Sequence, residues 1–178
     1  MPDGLTHMLA AYPGGRRYLS GFGLALFLLG SLLPDLLIRG GRLLFSAPSL
    51  YDWAELYLVP LHTPVGALLT CVALAQLFHE SVRKSAFLCL YGGCWSHFVL
   101  DFFQRAIEGF GFTRLKVPSY SWLYPFSGAD FQLGLFWAED APWALLVLVP
   151  LSLRIWYGGR KRVHPRTRPS RITELQDR

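Results

Sequence analysis

Charge is what this 178-residue chain has least of. Only 16% of its residues are charged, where soluble domains carry about 25%. Cysteine is scarce as well. Cys71, Cys89 and Cys94 are the only three, all inside apolar runs. An odd number of cysteines in such positions argues against a disulfide framework. The first fifteen residues lack a basic stretch followed by an apolar core, so no cleavable signal peptide is expected. No internal repeat is visible. What is present is apolar: 52% of residues are hydrophobic, mean hydropathy is +0.31, and the apolar residues fall in long runs. These features predict an integral membrane protein. The net charge of +5 gathers largely in Arg160, Lys161, Arg162, Arg166, Arg168 and Arg171. Beside an apolar segment such a run reads as a positive-inside anchor. No aromatic residues interleave with the charges, which argues against nucleic acid as a partner.

The apolar runs predict an all-α fold, a polytopic membrane helix bundle. Leu5 to Tyr12 is a short helix of roughly 12 Å, too short to span, and Pro13-Gly14-Gly15 should break it. Four spans follow: Tyr18 to Ile38, where Pro34 should bend or end the helix; His62 or Pro64 to Phe78; Ala86 to Phe103; and Pro142 to Tyr157. Arg39 to Leu61, with Asp52, Trp53 and Glu55, suits an interfacial connection. Residues 1–157 then form one membrane domain carrying a Gly-, Pro- and aromatic-rich loop at 104–141. Residues 158–178 form a basic, disordered cytoplasmic tail. Four spans put both ends in the cytoplasm, with Arg16-Arg17, Arg83-Lys84 and the tail inside.

Polar residues are conspicuous against this background. His97 and Asp101, four apart on the third span, share one helix face. Asp35 lies about 25 Å along the first span, and His97 and Asp101 about 17 and 22 Å along the third. His62 opens the second span near the same side. Asp35, His62, His97 and Asp101 therefore come out at similar depth near one membrane face. Two imidazoles and two carboxylates suit a divalent metal, zinc in particular. A cation would also neutralise two buried acids that otherwise cost several kcal/mol each. Each residue has a plainer alternative. His97 and Asp101 can be a hydrogen-bonded pair, Asp35 a helix-ending residue and His62 an interfacial histidine. Cys94, one turn before His97, reads as a packing residue rather than a ligand. His79 and His164 lie in charged, solvated stretches.

Leu5-Thr6-His7, Leu32-Leu33-Pro34-Asp35, Leu61-His62-Thr63, Ser96-His97-Phe98-Val99-Leu100-Asp101 and Trp122-Leu123-Tyr124-Pro125-Phe126 follow one another along the chain. In that order they resemble the YdjM-like membrane-bound proteins, described as predicted metal-dependent hydrolases. The resemblance covers roughly residues 5 to 137. It implies a helical protein of the bacterial inner (plasma) membrane whose His and Asp residues bind a metal. It adds His7 to the set and implies hydrolytic activity. The sequence departs from the family pattern at Leu37, where a second acid is common. It departs at Tyr57 to Thr63, which keeps one histidine of an HRGxTHS element, and at Tyr124, where a tryptophan is common. A single metal, or an inactive site, are the alternatives to two metals that these departures raise.

The expected function is a membrane-embedded, zinc-dependent hydrolase. His7, His62 and His97, with Asp35 or Asp101, hold the ion. The remaining carboxylate, Asp35 or Asp101, acts as general base. A site near a membrane face points to a lipid or lipid-linked ester or phosphoester as substrate. The Trp122 to Phe126 loop would shield the site or grip an acyl chain; an interfacial aromatic belt is its plainer reading. The competing class is non-catalytic: a polar cluster that only staples helices together or serves ion or metal passage.

Overall fold

The computed structural model describes residues 4–44, 59–103, 122–127, 133–135 and 141–162. Among them the chain is all-helical: α1 (Gly4–Tyr18), α2 (Gly21–Leu44), a 3-10 turn (Val59–His62), α3 (Pro64–Ala75), α4 (Glu80–Phe103) and α5 (Ala141–Arg162). Asp52, Trp53, Glu55, most of the 104–141 loop, and the tail beyond Arg162 with His164 lie outside the described residues. Among the described residues one helix, Glu80–Phe103, is long and apolar enough to cross a membrane; Gly21–Leu37, Pro64–Ala75 and Trp143–Gly159 are shorter apolar stretches.

The expected break at Pro13 does not occur, and of the bend or end expected at Pro34 the end does not occur. Pro13-Gly14-Gly15 leaves α1 intact to Tyr18, and α2 runs through Pro34 to Leu44. Each proline removes one ladder hydrogen bond. Helices that are shielded from water tolerate this, because opening the backbone there would strand more donors and acceptors than the proline does. Close packing also holds α1 straight past the break: a Cβ at Gly15 would sit 2.7 Å from the Phe27 ring. Gly21, at a φ of 52°, makes the turn into α2, a left-handed conformation that side chains resist. At its far end α5 passes Tyr157 and continues to Arg162.

α1 and α2 form an antiparallel hairpin. Gly4 faces Leu32, and Gly15 faces Phe27 and Leu24. α2 and α4 run parallel, with Gly23 facing Cys89 Sγ and Gly93 facing Phe27 and Gly30. α3 returns antiparallel to α4, bringing Cys71 Sγ to 3.6 Å from Cys94 Sγ. Gly159, near the end of α5, lies against Arg16 at the α1–α2 turn. The start of α1 and the end of α5 are therefore at opposite ends of the bundle. The four-span count put both on one side; it omitted α1, which runs the length of the hairpin.

The α2–α4 seam is built from small residues. A Cβ on Gly30 would drive into the Leu90 carbonyl, and one on Gly93 into the Phe27 carbonyl. Without a hydrophobic drive between helices in lipid, close backbone approach of this kind is what holds them together. Gly93→Val should destabilise the protein by about 1–3 kcal/mol or more, since neighbouring backbone cannot yield. Gly92→Ala, whose Cβ meets only the Phe27 ring at 3.6 Å, should be neutral or gain about 0.5–1 kcal/mol of helix propensity. Thermal unfolding in detergent distinguishes them.

Candidate metal centre

The seam positions the site. With Gly30 and Gly93 letting the backbones touch, the next turn of α4 sets the His97 ring against α2. His97 Nδ1 donates to the Ser31 carbonyl at 2.9 Å. That carbonyl belongs to the turn that Pro34 disturbs, where the ladder has lost the Pro34 N–H. A carbonyl can only accept, so Nδ1 carries the proton. The tautomer is thereby fixed, and in the neutral ring Nε2 presents a lone pair to the interior. One turn further, Asp101 on α4 and Asp35 on α2 reach the same level.

His62 arrives from a different direction. Thr63 caps α3, its hydroxyl accepting from Gly66 N–H at 3.1 Å and donating to the Pro60 carbonyl at 2.7 Å. Pro64 occupies the first helical turn, where its missing N–H costs nothing. Gly66 has no Cβ to strike Pro60 and Leu61. The 3-10 turn can therefore fold back on α3, and His62 points into the bundle. His7 comes from the first turns of α1, and its ring stacks on His97 with centroids 3.9 Å apart.

All five expected residues meet here, none more than 4% exposed. His62 Nε2 and His97 Nε2 are 3.0 Å apart. Asp101 Oδ2 is 3.1 Å from His97 Nε2 and 3.4 Å from His62 Nε2. Asp35 Oδ1 is 3.7 Å from His62 Nε2 and 3.8 Å from His97 Nε2. His7 Nε2 is 3.5 Å from the other oxygen of Asp101, Oδ1. Four ligands about 2.0–2.1 Å from a tetrahedral zinc lie ~3.3–3.4 Å from one another, so these separations bracket the edge that such an ion requires. The cluster also needs positive charge. His97 Nε2 faces a nitrogen at 3.0 Å and a carboxylate oxygen at 3.1 Å, and its one ring proton is committed to Ser31. Both Asp101 oxygens and both His7 nitrogens are buried without a hydrogen-bond partner among the described residues. Cations, as protons or a metal ion, resolve this. Two groups, His7–His97–Asp101 and Asp35–His62–His97, each offer ligand atoms within 4.8 Å of one another and could hold a metal ion.

The profile of the YdjM inner membrane protein family matches residues 3–170. The chain belongs to that family. As a YdjM member it is a membrane protein, which accounts for an apolar exterior around so polar a centre. No curated protein and no solved structure matches the chain.

Residue reasoning alone named four of the five residues that gather here; His7 came from the family resemblance. Its placement depends on α1 surviving Pro13, and nothing local in the sequence signals that. Ser31 was missed because it acts through a backbone carbonyl, which any residue type could supply. Cys94 stays outside the cluster, packed on Cys71, and His79 is exposed, paired with Ser81 at 2.9 Å.

If the cluster holds an ion, chelation should lower the unfolding temperature of the wild type, by the equivalent of about 2.7 kcal/mol for a metal at 100 times its Kd. His97→Ala should show no further loss on chelation. Elemental analysis of both proteins checks the content directly.

Proposed function

We propose that the chain is a metal-dependent hydrolase embedded in the membrane, with zinc as the metal and a lipid or lipid-linked ester or phosphoester as substrate. The observation that carries this is the donor set: three imidazoles and two carboxylates buried together, each within 3.0–3.8 Å of at least one other, around the edge length of a tetrahedral ion, and one imidazole locked by a backbone carbonyl. Metal-binding histidines commonly donate their second N–H in this way, which fixes the ring and raises its basicity. His62, His97 and Asp35 would hold the ion, with Asp101 and His7 beside it. Bound there, a divalent ion supplies Lewis acidity and eases deprotonation of water toward neutral pH.

The chain's own residues do the rest. His97 is oriented by Ser31 and keeps a lone pair inward. Asp101 spans the cluster, one oxygen toward His62 and His97 and the other toward His7. A carboxylate so placed can take a proton from water and pass it to the leaving group. His7, stacked on His97, is within reach of that carboxylate and can share the proton.

Orientation follows from charge. Arg16 and Arg17 lie beside Arg154 and Gly159 at the end of the bundle away from the cluster. The positive-inside bias favours the cytoplasm for that end and for the basic residues that follow Tyr157. The cluster then lies toward the outer face, with α1 to α5 arranged as one membrane domain.

Purified protein assayed on phospho- and carboxylic-ester lipids should lose activity about 10²–10⁴-fold on Asp101→Asn, the range of a general-base contribution, while keeping its fold. Asp35→Ala should lose metal and activity together. Activity surviving both substitutions overturns the hydrolase. A purely stapling cluster would instead show lowered thermal stability with no activity to lose.

A further inference from the structure

An apolar cavity of about 580 Å³ adjoins the metal centre, within the size range of small-molecule pockets. Pro64 and Val65 of α3, Phe98, Val99 and Phe102 of α4, and Trp122 line it, and every lining residue is apolar or aromatic. The two sites share walls. Pro64 and Val65 directly follow His62 and its capping Thr63 on α3. Phe98 and Phe102 each follow a cluster residue, His97 and Asp101, on the adjacent face of α4. Phe98 is the partition: its buried ring stands edge-on to His62 at 5.7 Å and to His97 at 5.9 Å, with Trp122 edge-on behind it at 5.9 Å. The outer wall faces lipid, where Val99 is 49% and Trp95 47% exposed.

We infer that this cavity takes one hydrocarbon chain of a membrane lipid, entering past Trp95 and Val99, with its ester or phosphoester end at the His62–His97–Asp101 face. Three observations select that occupant. The lining offers no carboxylate, amine or hydroxyl to a polar ligand, so binding rests on apolar contact alone. The mouth opens toward bilayer, where acyl chains are the abundant apolar molecules. The far wall is shared with the polar cluster, so a molecule filling both must be apolar at one end and hydrolysable at the other. The inference rests on the hydrolase reading for the reactive end, and on the cavity alone for the chain.

The test is photolabelling. Full-length protein in phosphatidylcholine nanodiscs carrying a phospholipid with a diazirine on its acyl chain is irradiated and digested. Labelled peptides are mapped by mass spectrometry in wild type, Val65→Trp, Leu146→Trp and Asp35→Ala. Leu146 is 65% exposed on α5, away from the cavity, and controls for general lipid contact. The expected result is labelling of the peptide bearing Phe98 to Phe102. Val65→Trp should reduce it at least tenfold with metal content unchanged, and Leu146→Trp should leave it unchanged. Asp35→Ala should lose metal and keep the label. Labelling that Val65→Trp leaves intact marks contact at the outer surface and overturns the inference. Absence of label from wild type overturns it too, the cavity then being filled by the chain itself. A wild-type protein that is labelled but carries no metal would defeat the hydrolase reading and leave the chain site standing.

Discussion

Two carboxylates and three imidazoles, each within 3.0–3.8 Å of at least one other in an apolar bundle, are held there against a desolvation cost of several kcal/mol per charge. Such a cluster is stable only if positive charge enters it and if the surrounding helices leave no freedom to splay. Most of the remaining structure can be understood as meeting those two conditions. The charge must come from protons or a metal ion, which two groups of donors sharing His97 are spaced to accept. The rigidity is met by the seam between α2 and α4.

That seam links sequence to site in few steps. Gly30 and Gly93 permit backbone contact that any side chain would forbid. Contact lets His97 reach the Ser31 carbonyl, and Pro34, which disturbs the ladder at that turn, lies just before Asp35. The proline expected to bend or end the helix therefore sits where the site is built. On the other side, Thr63 and Gly66 turn the chain so that His62 closes the cluster from α3. Residues 133–135 cap α4, with Leu133 and Leu135 N–H donating to the Phe102 and Phe103 carbonyls. They satisfy helix-end acceptors that would otherwise be stranded.

Much of this was legible from residues. The i, i+4 spacing of His97 and Asp101 and the depth match with Asp35 and His62 needed only a helical rise and a hydropathy pattern. They worked because an apolar chain has few places for acids to go. His7 was not legible from local pattern, since Pro13-Gly14-Gly15 reads as a break and only tertiary packing on Phe27 overrides it. The placing of the two ends suffered the same way. Treating α1 as a stub placed both ends of the bundle together, whereas the α1–α2 hairpin separates them. Phe98 read as one more apolar residue; its position between cavity and cluster emerges only when α3, α4 and Trp122 are assembled.

The central claim is that imidazole nitrogen and carboxylate oxygen from this cluster bind a metal. X-ray absorption at the zinc edge of protein purified without chelators tests it most directly. The account predicts nitrogen and oxygen neighbours at about 2.0–2.1 Å, with the multiple-scattering signature of at least two imidazoles, lost in His97→Ala. Sulfur neighbours at about 2.3 Å, or a spectrum unaltered by that substitution, would contradict it.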